Sequence, residues 1–120
     1  MKLRFPSILC AVESANRESI RSIPPDYDVT FAQNEFDAVE IAQERRFELI
    51  LMTCQRADAR YAKACSIIRQ FDDHTPILFI TGSPGLSEDE AFAAGAQGVL
   101  CQSDKNFASD LKLRIEGLCA

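Results

Sequence analysis

The chain has 120 residues, and a domain typically occupies roughly 100–200, so residues 1–120 are expected to form one domain, and a second core of comparable size is excluded. Apolar residues make up 47% and charged residues 26%, which excludes the polar, apolar-poor composition of a disordered chain. Lys and Arg number 13 against 18 Asp and Glu, a net charge of −5, which argues against an electrostatic grip on nucleic acid or anionic lipid.

The segment from Met1 to Val12 has a basic start and an apolar run, but the run stops at Glu13, short of the ~7–15 residues of a signal peptide's apolar region. No stretch approaches the ~20 apolar residues of a membrane span. A cytoplasmic protein with no membrane partner is therefore expected. Cys10, Cys54, Cys65, Cys101 and Cys119 form an odd set without a close pair, so no disulfide framework and no CxxC zinc or redox pattern can be read from them. Free buried thiols are the expectation.

In chain order, the first apolar run is Ser7 to Val12, followed by Val29 to Ala32, Glu48 to Met52, Ile77 to Thr81, and Gly98 to Cys101. Most are continuous rather than alternating, the mark of strands covered on both faces, as in a parallel sheet with helices above and below. The segments between them carry helical signals. Ser14 caps the first, which must end before Pro24-Pro25. Asn34 caps the second, with Phe36, Val39 and Ala42 as its apolar stripe ahead of Arg45-Arg46. Asp58 caps the third, with Ala64, Ile67, Ile68 and Phe71 at i, i+3, i+4, i+7. The fourth opens on the capping box Ser87-Glu88-Asp89-Glu90 and stops at Gly95. The fifth starts near Ser103 to Asn106 and buries Leu111, Ile115 and Leu118. Five alternations of strand and helix predict an α/β three-layer sandwich joined by right-handed crossovers, with five helices.

In such sheets ligands bind beyond the carboxyl ends of the strands, where strand order reverses. Those ends are Val12-Glu13-Ser14, Thr53-Cys54-Gln55-Arg56, Thr81-Gly82-Ser83 and Cys101-Gln102-Ser103. There is no GxGxxG and no GxxxxGK[ST], so no nucleotide fingerprint. The single histidine, His74, falls in a turn ahead of the fourth strand, at the opposite end of the sheet. No pairing of Cys with His, or of Ser with His and Asp, follows from the spacing, and no enzymatic activity and no cofactor is expected.

Across nearly its whole length the chain resembles the receiver domains of bacterial two-component response regulators, the CheY-like domains. Ile8 to Glu13 resembles the family's first strand, which ends in a pair of acids. Glu48-Leu49-Ile50-Leu51-Met52-Thr53 resembles the third, whose last residue is the phosphoacceptor Asp. Thr75 to Gly82 is similar to the fourth strand, ending in Thr or Ser, and Gly95 to Gln102 to the Gly-Ala-x-x-aromatic-apolar-x-Lys of the fifth. The resemblance implies a doubly wound five-stranded parallel sheet of order 2-1-3-4-5.

Carried over by position, the resemblance puts Thr53 in place of the acceptor, Val12 and Glu13 in place of the acidic pair, Gln102 in place of the phosphate-pairing Lys, and Val99 in place of the aromatic switch. Thr81 alone fits. A hydroxyl cannot replace the attacking carboxylate, and Glu13 by itself should bind Mg²⁺ poorly, because that ion depends on charged oxygen ligands. The resemblance thus implies a degenerate pseudo-receiver with no resident metal. It acts independently of phosphorylation through protein contacts, with a sensor kinase or an output domain as partner, on the face built from Ser87 to Leu118. Two alternatives use the vestigial pocket. It could take an anion on Arg56, Ser83 and Gln102, with Ser14, Thr53 and Thr81 adding hydrogen bonds and Arg60 adding charge, or sense redox state through Cys54 beside Arg56. A third alternative is a phosphorelay receiver with an atypical acceptor.

Overall fold

The computed structural model describes residues 7–12, 27–54, 59–81 and 88–118. Five strands, β1 (Ser7–Val12), β2 (Asp28–Ala32), β3 (Leu49–Cys54), β4 (Ile77–Thr81) and β5 (Gly98–Cys101), alternate with α1 (Glu35–Glu44), α2 (Ala59–Phe71), α3 (Glu88–Ala94) and α4 (Phe107–Leu118). All strand pairs are parallel and the order is β2-β1-β3-β4-β5. The sheet is thus the one the resemblance implies. The helix expected from Ser14 and the caps assigned to Asp58 and Ser87 lie outside the described residues.

Apolar residues on both faces of the strands explain the layers. Leu9, Ala11, Ile50, Met52, Ile77 and Phe79 face a core completed by Ala38 of α1, Tyr61, Ala64, Cys65 and Ile68 of α2, and Ala91 of α3. On the other face, Ile8, Cys10, Leu49, Leu51, Leu78 and Ile80 meet Phe107, Leu111 and Ile115 of α4. The β4 strand is buried along its whole length, as an inner strand between two helical layers must be.

Several expectations are corrected. The third strand runs two residues further than its apolar run, because Thr53 and Cys54 still pair with Ile80 and Thr81 of β4. Asn34 does cap α1, its Oδ1 accepting the Asp37 amide at 2.9 Å, yet Phe36 is 68% exposed while Glu35 is 5% exposed. The first turn of α1 therefore buries a carboxylate and turns the ring out. In α2 the inward stripe is Tyr61, Ala64, Cys65 and Ile68, one turn earlier than expected. Ile67 is half-buried and Phe71 exposed, and Phe71 lines a cavity of about 430 Å³ with Ala42 to Arg46. Gly95 ends α3 at a φ of +103°, as its glycine predicts.

Candidate functional site

All strands run the same way, and the order in which they are added reverses between β1 and β3, so the carboxyl ends of β1, β3, β4 and β5 lie along one edge. In the backbone register Val12 stands beside Thr53, Cys54 beside Thr81, and Thr81 beside Cys101. Gln102 follows directly, its amide donating to the Thr81 carbonyl at 2.7 Å. The structure therefore brings Val12, Thr53, Thr81 and Gln102 to one edge. Val99 sits three residues earlier in β5 and packs against the core on the helix α1–α3 side. Glu13, Ser14, Arg56 and Ser83 lie outside the described residues.

Thr53 is completely buried. Its Oγ1 donates to the Ala11 carbonyl of β1 at 3.1 Å, so the hydroxyl serves the β1–β3 seam. Thr81 is also buried, and its side chain helps to lower the Cys101 thiol. These are small polar side chains satisfied within the sheet, as buried hydroxyls ordinarily are. Gln102 differs: its Oε1 is buried without a hydrogen-bond partner among the described residues. An acceptor left unmet in this way costs about 1–3 kcal/mol, and it favours a donor over an anion. Arg60, counted on sequence grounds toward a positive rim, places Nε 3.8 Å from the buried Glu35 carboxylate, which offsets its charge locally.

Among the described residues, those at this edge do not fit Mg²⁺. That ion asks for charged, hard oxygens, whereas Val12 supplies no donor atom and the Thr53 hydroxyl is committed to Ala11.

Sequence reasoning missed Cys101. Its thiol is half-buried rather than buried and lies 3.0 Å from Ser103 Oγ. The hydroxyl and amide of Ser103 hold it below the usual thiol value against the effect of burial, with help from Thr81 and opposition from Asp104. The Cys-x-Ser spacing was the only available signal. Cys10 and Cys65 behave as expected for core thiols: burial pushes the first up to about 12 and the second to about 11, where Arg69 partly counteracts it. At the other end of the sheet His74 is exposed, with Nε2 3.2 Å from Asp73 Oδ1, too far from this edge to take part in any chemistry there. Among the described residues no helix is long and apolar enough to cross a membrane.

No protein-family model matches the chain, and no curated protein matches it in sequence. Solved structures do match it in three dimensions. The signal receiver domain of an HD domain-containing protein from Pseudomonas fluorescens superposes with a TM-score of 0.79 at 19% identity, covering 99% of this chain and 90% of that one. A CheY-like response regulator receiver domain protein from Methanospirillum hungatei gives 0.78 at 17% identity, covering 96% and 94%. The receiver domain of a sensor histidine kinase from Pseudomonas aeruginosa, which holds a magnesium ion in its active-site cleft, gives 0.73 at 22% identity, covering 97% and 98%. With the strand order 2-1-3-4-5 and both helical layers in agreement, the chain has the fold of the response-regulator receiver domains.

Proposed function

We propose that residues 1–120 form a single signal-transduction module of the response-regulator class that works in the cytoplasm, without phosphorylation, by binding a protein partner. The observation that carries this reading is Thr53. It stands where the resemblance puts the phosphoacceptor, fully buried, with its hydroxyl given to the Ala11 carbonyl. Neighbouring Val12 and Gln102 supply neither a metal-binding carboxylate nor a cation for a phosphoryl group. The reading includes no enzymatic activity and no cofactor.

The partner surface is the one from Ser87 to Leu118, formed by α3, β5 and α4. Two large apolar side chains stand in solvent there, Phe92 at 52% exposure and Leu113 at 65%, and exposed charges including Asp89, Lys105 and Lys112 accompany them. Apolar contacts supply affinity in such interfaces, while charges set register and specificity. With Val99 in place of an aromatic switch, binding is constitutive.

Two measurements test the reading. Intact-mass spectrometry after treatment with acetyl phosphate and Mg²⁺ is expected to show an unmodified chain; a phosphoryl adduct would overturn it. Capture of the native partner is expected to weaken in Asp89→Lys and Lys112→Glu and to survive Thr53→Ala. If Thr53→Ala abolishes capture while both reversals are silent, the interaction runs through the vestigial pocket instead. One observation favours a second reading, redox sensing at this edge: the half-buried thiol of Cys101, held toward its thiolate by Ser103 and Thr81.

A further inference from the structure

Arg69 stands in the last turn of α2, and its guanidinium is shared among three acceptors. Nε donates to the Gly95 carbonyl at 2.8 Å, Nη1 to the Asp72 carbonyl at 3.0 Å and Nη2 to Gln97 Oε1 at 3.3 Å. The same Gln97 oxygen accepts the Ile77 amide at 2.7 Å, and the Gln97 amide donates to the Ile77 carbonyl at 2.8 Å. One planar, multi-donor side chain thus joins the ends of α2 and α3 to the starts of β4 and β5, a task that the fixed fork of arginine suits and the single head of lysine does not.

The backbone makes room for it. At Gly95, with its φ of +103°, an added Cβ would stand 2.7 Å from Arg69 Cγ, so the glycine that ends α3 also leaves the slot for the arginine stem. The helix held in this way has little else to hold it. It spans 7 residues, far below the ~12–15 at which an isolated helix is even marginal in water. Ala91 is its only fully buried apolar side chain among the described residues, and Phe92 faces solvent.

We infer that Arg69 is a positioning residue, a latch thrown from α2 that fixes α3 and the α3–β5 turn in one arrangement. Because the latch grips Gly95 and Gln97, within the segment assigned to the partner, it gives that surface a single, permanent shape; this meaning rests on the function proposed above. Any swing of α3 away from α2 must break charge-assisted hydrogen bonds to Gly95 and Gln97 together.

Amide hydrogen exchange on the full chain tests it. In Arg69→Met, which keeps the stem and removes the fork, exchange over residues 89–97 is expected to rise at least roughly tenfold, the loss of one charge-assisted bond being the lower limit, while α1 and α4 keep their protection. Arg69→Lys should fall between wild type and Met. Unchanged exchange in 89–97, or an equal rise in every element, overturns the latch. If Arg69→Met does not fold, Gln97→Leu must raise exchange in the same segment selectively, and protection retained there overturns it equally. Exchange is read without partner, so failure of the latch and failure of the partner surface remain separate results.

Discussion

The described thiols differ in what their surroundings do to the proton, and reactivity follows from the thiolate fraction. Burial raises Cys10 to about 12 and Cys65 to about 11, whereas the Ser103 hydroxyl and amide lead the groups that lower Cys101. Each unit of difference is roughly a tenfold change in thiolate, so at neutral pH iodoacetamide should label Cys101 well ahead of the other two. Peptide mass spectrometry over a time course checks this. Ser103→Ala should slow Cys101 alone, and equal rates at all three sites would contradict the assignment. This behaviour was illegible in the sequence. Cysteine composition supports only the statement that such residues are commonly buried, and the lowering depends on how the turn after β5 folds Ser103 back onto the thiol, with a smaller contribution from Thr81 of β4.

At the scale of the elements, Gly95, which ends α3, and Gly98, which opens β5, each lie against an arginine, but on different terms. A Cβ at Gly95 would press on Arg69 Cγ, the inner part of the stem, at a positive φ, whereas one at Gly98 would be crowded by Arg114 Nη1, at 2.7 Å, and would otherwise make an ordinary contact with Leu78 Cδ1 at 3.5 Å. The end of a flexible side chain can move aside; a stem held by three hydrogen bonds cannot. Gly95→Ala should therefore cost at least the roughly 1–2 kcal/mol of left-handed backbone for an L-residue, and Gly98→Ala should stay within about 0.5 kcal/mol. Urea unfolding of both variants decides the point, and equal losses would contradict it. Element types and most strand limits were legible from apolar runs and caps. The inward stripe of α2 was not, because Ala64, Ile67, Ile68 and Phe71 satisfy the same spacing as Tyr61, Ala64, Cys65 and Ile68. Only the position of the sheet edge beneath the helix separates the two. The Arg69 latch was hidden for a similar reason: Gly95 and Gln97 lie 26 and 28 residues along the chain.

Across the whole molecule, acid should act in two separable stages. With a net charge of −5 near neutrality and an isoelectric point near 4.8, self-repulsion vanishes around that pH, and association is favoured there. Unfolding belongs lower. Burial tends to raise the Asp72 carboxyl, but the hydroxyl and amide of Thr75, the His74 amide and Arg69 together hold it below its ordinary 3.8. A carboxylate depressed in the folded state contributes stability that is present above the unfolded value and lost as pH falls through the folded one. Light scattering should therefore peak near pH 4.8 with the circular dichroism still native, and the contribution of Asp72 to the melting temperature should be lost as pH falls below its ordinary 3.8. Asp72→Asn should flatten that lower limb, and a variant with an unchanged limb would assign the acid sensitivity elsewhere. At this scale the alternation of strand and helix was readable from the residues. Strand order came from the resemblance, because burial on both faces says that a strand is internal without saying which strands flank it.

The order β2-β1-β3-β4-β5 also bears on how the chain is made. Synthesis runs from β1 onward, and β1 is not an edge: β2 closes one side of it and β3 the other. From there β4 adds to the open side of β3, and β5 to the open side of β4. A chain leaving the ribosome can therefore extend the sheet one strand at a time, and no pair already made has to reopen to admit a later one. The edge at which the sheet is still growing is then always the one the next segment is about to cover, while the outer edge of β2 stays open throughout.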